Sequence, residues 1–202
     1  MNQPASNHVL MRANLFARGF SDPVRDTQRC YRTILRAMSE PGRAVEIQNG
    51  LQAPAPLSPA GAAILLTLAD ASTLVHLVSP SPAAWLWLEY HCAASRSALD
   101  QADFIHAVHQ PPLTGPAGPD ASNSSGSRAT LILETGEFPR QHPFYLSGAG
   151  AAARQPIMLP IDQRTLTEWR ADQNRSGREI DILLCAGRKI IGLPRNLRIE
   201  PA

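Results

Sequence analysis

The feature that most constrains the fold is a pair of apolar runs near the carboxyl end of the chain. Residues 180–185 and 189–193 are separated by Ala186, Gly187 and Arg188, and a glycine-containing turn between two such runs predicts a β-hairpin. Residues 182–185 are apolar without alternation, which indicates a strand covered on both faces. The hairpin therefore predicts a layered α/β domain in which helices cover a central strand.

Composition sets the size of the domain and argues against two classes of partner. The chain has 202 residues, of which 44% are apolar, and a formal net charge of +2, which suits one globular domain with a sizeable core. A charge so close to zero gives no reason to expect nucleic acid or a membrane surface as partner. Only one basic residue, Lys189, is a lysine. This bias toward arginine fits either a coding preference or bidentate pairing with phosphate and carboxylate, and composition leaves both open.

Cysteine usage and the amino terminus predict a cytoplasmic protein. Cys30, Cys92 and Cys185 are widely spaced, set among apolar residues and free of any CxxC pair, as expected of reduced thiols packed in a core. The first residues contain no apolar run long enough for a signal peptide, and no segment approaches the roughly 20 apolar residues of a membrane helix. We expect residues 1–13 to form a flexible amino terminus ahead of a single domain over residues 14–202.

Four helices are predicted from capping signals. In three of them a Ser or Asp precedes a proline. The Ser or Asp side chain can accept a hydrogen bond from a backbone N–H of the first turn that has no partner within the helix, while the proline occupies the first helical position. These helices begin at Asp22-Pro23, Ser58-Pro59 and Ser81-Pro82, and Asp162 is the candidate N-cap of a fourth helix over residues 162–173. The second helix, over residues 60–69, is apolar nearly all round and should lie in the interior.

The first helix should end at Ser39, because Glu40-Pro41-Gly42 stops it. Its apolar or amphipathic positions follow at helical spacing: Tyr31, Ile34, Leu35 and Met38. Three arginines, at intervals of three and four, share one face of the same helix: Arg29, Arg32 and Arg36. We interpret that face as solvated rather than as an anion site.

Strands are predicted between and after these helices. β-branched and apolar runs mark them, at residues 43–48, 73–78, 103–108, 128–134 and 144–146, and residues 195–200 should close the chain as an edge element. The order of strands and helices supports a three-layer α/β sandwich around a mixed β-sheet. Residues 111–127 are rich in Pro, Gly, Ser and Asn and should form a mobile surface loop.

Several motifs resemble active-site signatures but are incomplete. Residues 148–153 match GxGxxA after a strand, yet Pro156 shortens the following helix that a dinucleotide fingerprint requires, so a tight glycine turn is favoured. His106 and His109 resemble half of a metal site without a third ligand. Lys189 adjoins the hairpin turn, where exposure is favoured over the desolvated pocket of a Schiff-base lysine. The sequence thus predicts no catalytic, cofactor or metal residue.

Four short segments resemble a known family. They are residues 20–42, 65–70, 129–133 and 187–195. The last segment ends in Gly192-Leu193-Pro194-Arg195. In this order they are similar to the PhnH family, whose members belong to the bacterial carbon–phosphorus lyase system for phosphonate use. The similarity extends over roughly residues 14–200.

That resemblance implies a reduced relative of the large domain of pyridoxal-phosphate transferases, without the cofactor. It also implies a cytoplasmic homodimer that assembles with subunits G, I and J, with K associated. The complex would exchange the adenine of ATP for an alkylphosphonate, giving ribose 1-alkylphosphonate 5-triphosphate, and the PhnH chain would contribute no assigned catalytic residue.

Two function hypotheses follow. The first is an accessory, non-catalytic subunit of this complex. The second is a stand-alone anion- or nucleotide-binding enzyme that uses the Gly148 turn with Arg188 or Arg195. These two arginines are the candidate anion- or partner-binding residues, because arginine forks hold phosphate or carboxylate oxygens.

Overall fold

A computed structural model describes residues 17–48, 50–79, 81–108, 128–136, 138, 142–148, 156–176 and 179–202. Its fold is mixed α/β, and four helices lie within these ranges. They are α1 (Pro23–Ser39), α2 (Pro59–Leu68), α3 (Pro82–Cys92) and α4 (Gln163–Ser176). The predicted flexible amino terminus at 1–13 and the predicted mobile loop at 111–127 both lie outside the described residues.

Ten strands are interspersed with the helices in the described ranges. They are β1 (Ala44–Glu46), β2 (Leu74–Leu77), β3 (Ser95–Arg96), β4 (Phe104–Ala107), β5 (Arg128–Glu134), β6 (His142–Ser147), β7 (Ile157–Leu159), β8 (Glu179–Ala186), β9 (Lys189–Leu193) and β10 (Arg198–Pro201). A large sheet has the order β1-β9-β8-β5-β4-β2-β3, and a smaller one the order β10-β6-β7. The large sheet is mixed, because β3, β2, β4, β5 and β8 run parallel while β9 and β1 pair antiparallel.

The predicted hairpin is confirmed as β8 and β9. Ala186 pairs with Lys189, so Gly187 and Arg188 form a two-residue turn. Gly187 has a φ of 58°, in the left-handed region that tight hairpin turns require and that glycine adopts without strain. On its other side β8 pairs with β5, so the most apolar strand lies inside the sheet, as its lack of alternation predicted.

The two faces of the large sheet are covered by different layers. Leu183 and Cys185 point into a cluster with the buried residues of α1, α2 and α3. Ile182 and Leu184 point into a second cluster, with side chains from α4 and from the three strands of the small sheet. Helices therefore cover the first face as predicted, whereas on the second face the small sheet shares the cover with α4. Burial alternates along β6, and such an antiparallel sheet can bury one face and leave the other in water.

Helix α1 buries only part of its predicted apolar set. Cys30, Ile34 and Ala37 face the core, whereas Tyr31 and Leu35 are each 47% exposed. Small residues face inward because the helix lies close to β9: a Cβ at Gly192 would be 2.5 Å from the carbonyl oxygen of Ala37. Close backbone approach therefore decides which face of α1 is buried.

The predicted helix starts are confirmed by their caps. The side chains of Asp22, Ser58 and Ser81 each accept a bond from the N–H three residues later, and Asp162 accepts one from Thr165. Six consecutive residues of α2 are buried, as its uniform apolar composition predicted. These caps satisfy N–H groups that would otherwise lack a partner at each helix end.

Candidate functional site

A cavity of about 620 Å³ opens at one edge of the large sheet. Its walls come from the end of α1, the start of β8 and the segment that follows β9, and they include Met38, Ser39, Glu179, Asp181 and Arg195. The volume falls within the roughly 300–1,000 Å³ of small-molecule sites. The cavity lies at the amino-terminal end of β8, which is the edge opposite to the one where parallel sheets usually bind ligands.

Arg195 is held in this cavity by two carboxylates. Its Nη1 donates to Glu179 Oε2 at 3.2 Å, its Nη2 lies 3.0 Å from Asp181 Oδ2, and its backbone N–H donates to Asp181 Oδ1 at 2.9 Å. Both ends of the guanidinium fork thus already contact carboxylate oxygens. An incoming anion would have to displace one of these carboxylates, so the geometry is unfavourable for phosphate.

Arg188 lies at the opposite end of the same hairpin. Its Nε is 3.9 Å from Glu46 Oε1 and its side chain is about half exposed. The five residues of β9 and Pro194 separate it from Arg195, and at about 3.4 Å per strand residue they hold the two side chains beyond the reach of one phosphate group. The structure does not bring the two candidate arginines together.

The Gly148 turn packs against the backbone that follows Arg195, at residues 196–198. Gly148 has a φ of 125°, and a Cβ there would be 3.0 Å from the carbonyl oxygen of Asn196. The close approach and the positive φ both require glycine at this position. Residues 149–153, which complete the GxGxxA match, lie outside the described residues.

A buried acid–base pair lies at the carboxyl-terminal ends of the parallel strands. His106 of β4 has no solvent exposure, and its Nε2 is 3.1 Å from Oε1 of Glu134, which ends β5 and is 7% exposed. The same Oε1 accepts the backbone N–H of Ser58 at 2.9 Å, at the start of α2. Because this oxygen acts as an acceptor toward Ser58, we assign Nε2–H of His106 as a donor to it. Nδ1 of His106 is buried and has no hydrogen-bond partner among the described residues.

This arrangement fills the position at which an α/β protein commonly binds an anion. Ligands usually bind outside the carboxyl ends of parallel strands, where helix N-termini attract negative charge. Here the Glu134 carboxylate already lies at the N-terminus of α2, and burial of both His106 and Glu134 denies substrate access to the pair. The pair therefore joins β4, β5 and the start of α2.

The sequence pattern singles out His106 without assigning it to a site, and it gives no prediction for Glu134. His106 and His109 resemble half of a metal site without a third ligand, and His109 lies outside the described residues. No group of three or more metal-ligating side chains occurs in the part of the chain that the structure describes. An acidic residue ending an otherwise apolar strand was the available signal, but its pairing with His106 requires the neighbouring positions of β4 and β5.

Two other histidines and the lysine have structural positions. His76 is half-buried, with its Nδ1 2.9 Å from the carbonyl oxygen of Ser97. His91 Nε2 is 3.2 Å from the carbonyl oxygen of Ala17. Lys189 is exposed, as its place beside the hairpin turn predicted.

The three cysteines form no disulfide: Cys30 and Cys185 are buried and Cys92 is half-buried. Burial raises the pKa of each thiol, most strongly that of Cys185, where the Glu134 carboxylate adds to the effect. A thiol whose pKa is raised is a poor nucleophile near neutral pH. The arrangement is that of packed side chains and not of reactive ones.

No helix within the described ranges is long and apolar enough to span a membrane.

Comparison with known proteins decides the family. A family described as "Bacterial phosphonate metabolism protein (PhnH)" matches residues 18–200. The chain belongs to the PhnH family.

A curated relative agrees with this assignment. The chain is 27% identical over 203 residues to "Alpha-D-ribose 1-methylphosphonate 5-triphosphate synthase subunit PhnH" of Rhizobium meliloti (strain 1021). The match covers 93% of this chain and 97% of the relative. The resemblance drawn from four short segments is therefore confirmed over nearly the whole PhnH chain.

Proposed function

We propose that this PhnH protein is an accessory subunit of a complex that transfers an alkylphosphonate onto the ribose of ATP, with release of adenine. The observation that carries this proposal is the match over residues 18–200 to a phosphonate metabolism family, together with a relative named as a subunit of alpha-D-ribose 1-methylphosphonate 5-triphosphate synthase. The product would be a ribose 1-alkylphosphonate 5-triphosphate.

An accessory role is favoured over a catalytic one by the geometry of the described residues. The His106–Glu134 pair is closed to solvent, and the N-terminus of α2 beside it is occupied by the protein's own carboxylate. Arg195 is likewise bound to Glu179 and Asp181. A catalytic subunit would need acid, base or electrophilic groups that converge on a space open to substrate.

We further propose the assembly that the resemblance implies. The protein would be a cytoplasmic homodimer that binds subunits G, I and J, with K peripheral. Its three-layer fold would be a reduced relative of the large domain of pyridoxal-phosphate transferases that has lost the cofactor. In support, the sole lysine, Lys189, is exposed at the end of a hairpin, where a buried aldimine could not form. Titration with pyridoxal phosphate should give no stable internal aldimine band.

Arg188 and Arg195 would then serve partner contacts rather than anion binding. Isothermal titration with ATP compares the wild type with a variant carrying Arg188→Ala and Arg195→Ala. We expect both proteins to bind ATP weakly and equally. An affinity that the double substitution lowers by about tenfold or more, corresponding to ~1.4 kcal/mol, would instead favour the stand-alone nucleotide-binding enzyme.

Assembly tests the proposed function directly. The protein is co-expressed with subunits G, I and J and analysed by size-exclusion chromatography with multi-angle light scattering. We expect one peak containing all four chains, and no hydrolysis of ATP or alkylphosphonate by the isolated protein. Separate elution, or turnover by the protein alone, would contradict the accessory role.

A further inference from the structure

The exposed side of α1 carries an apolar ridge. Val24 is 68% exposed, and Tyr31 and Leu35 are each 47% exposed. Intervals of seven and four place these three residues on one face of a helix, because each residue advances it by about 100°. We call this set the α1 ridge. The other large exposed apolar side chains in the described ranges lie apart from it, on α3, β6 and β7.

The α1 ridge leads into the cavity at the end of the helix. Met38 and Ser39 follow Leu35 by three and four residues, and positions at these intervals are neighbours on a helix surface. Both residues line the 620 Å³ cavity. A segment lying along α1 could therefore pack on the ridge and insert one side chain into the cavity, as anchor residues do in protein interfaces.

A row of arginines flanks the ridge on one side. Intervals of four, three and four align them about a third of a turn from the ridge: Arg25, Arg29, Arg32 and Arg36. Three of them contact carboxylates of the same helix or its caps at 3.2–3.5 Å, yet their side chains are 54–81% exposed. Such exposed pairs are worth about 0–1 kcal/mol, so the arginines can exchange these carboxylates for those of a partner at little cost.

We infer that α1 is a docking surface for an acidic amphipathic segment of another subunit of the complex. That segment would present apolar side chains to the α1 ridge and a row of Asp or Glu to the arginine row. The inference rests on the proposed function, since it takes its partner from the synthase assembly. Beyond that function, the inference specifies which surface of this protein binds the partner and which chemical groups the partner presents.

A second copy of the chain fits this surface less well. If two α1 helices paired antiparallel about a twofold axis, both arginine rows would lie on the same side of the pair and repel each other. If they paired parallel, the helix dipoles would be aligned and the two negative C-terminal ends would meet. An acidic partner avoids both costs.

The test measures binding of purified, full-length protein to a purified complex of subunits G, I and J. One variant carries Tyr31→Ser and Leu35→Ser, and a second carries Arg25→Glu and Arg32→Glu. The matched controls are Tyr90→Ser, at a tyrosine of α3 that is 65% exposed, and Arg164→Glu, at an arginine of α4 that is 85% exposed. Circular dichroism and thermal melts confirm that each variant folds.

We expect each α1 variant to lose about tenfold or more in affinity, the usual size of a hot-spot loss, and each control to stay within about twofold. Wild-type binding should weaken as salt rises from about 0.05 to 0.5 M, and the Arg25→Glu, Arg32→Glu variant should lose this dependence. Folded α1 variants that bind like the wild type would overturn the inference. The proposed function would still stand in that case, because the wild type binds the complex.

Two further outcomes are decisive. If the α1 variants bind normally but change from dimer to monomer in isolation, the occupant of the surface is a second copy, and the inference is wrong. If the wild type itself does not bind the complex, the proposed function fails first and the docking surface fails with it.

Discussion

Removing the Glu134 carboxylate should destabilise this protein more than any surface substitution. Its Oε1 contacts two donors, the half-buried backbone N–H of Ser58 and the fully buried Nε2–H of His106. In a Glu134→Ala variant both donors lose their acceptor, and each unsatisfied buried group costs roughly 1–3 kcal/mol. The two groups together therefore cost about 2–6 kcal/mol, and 3–5 kcal/mol is the middle of that range. We therefore expect the free energy of unfolding to fall by about 3–5 kcal/mol.

The same loss of stability can be measured by thermal unfolding. For a chain of this size about 1 kcal/mol shifts the melting temperature by roughly 2–4 °C, so we expect Glu134→Ala to lower it by about 6–20 °C. Urea unfolding followed by tryptophan fluorescence measures the free energy, because Trp85, Trp87 and Trp169 are all buried. Calorimetry measures the temperature independently.

Two further variants separate the carboxylate's contacts from a general effect of mutation. Glu134→Gln keeps an acceptor for the Ser58 N–H and should cost about half as much as Glu134→Ala. Glu168→Ala removes an exposed carboxylate that contacts Arg164 at 2.7 Å, and such i,i+4 pairs contribute only about 0.3–0.5 kcal/mol. A loss below about 1 kcal/mol for Glu134→Ala, comparable to the Glu168→Ala control, would refute this account of the pair.

Three other predictions concern packing, titration and thiol reactivity. Gly192→Ala places a Cβ 2.5 Å from the backbone oxygen of Ala37, and urea unfolding should show a loss of about 1–3 kcal/mol, typical of overpacking; an unchanged midpoint would contradict the close approach. The backbone N–H of Asp22 lowers the pKa of Asp26 despite its burial, so Asp26→Ala should lose stability at pH 7, and the difference from wild type should shrink as the pH falls below about 3.9. A difference independent of pH would count against this linkage. Because burial raises the pKa of Cys185, that thiol should react with a disulfide reagent at pH 8 only in urea, and rapid labelling of the native protein would show an open core.

The local structure of this protein could be predicted well from its sequence. Asp22-Pro23 and Ser58-Pro59 begin helices because the capping side chain and the proline act on N–H groups a few residues away. The two apolar runs around Gly187 form the predicted hairpin for a similar reason, since the turn and both strands are continuous in the chain. The family was recognisable from short segments in order, and the match over residues 18–200 confirms it.

Interactions between distant segments could not be predicted in the same way. Glu134 meets Ser58 across 76 residues, and Arg188 and Arg195 are near in sequence but lie at opposite ends of β9. Tyr31 and Leu35 have apolar side chains at helical spacing, yet they face outward because α1 lies against β9 through its small residues. Local signals act through covalent neighbours and so determined where the capped helices begin and where the hairpin turns. The buried face of a helix and the pairing of charged side chains depend on contacts between elements that are far apart in the chain. Only the tertiary structure therefore decided these two features.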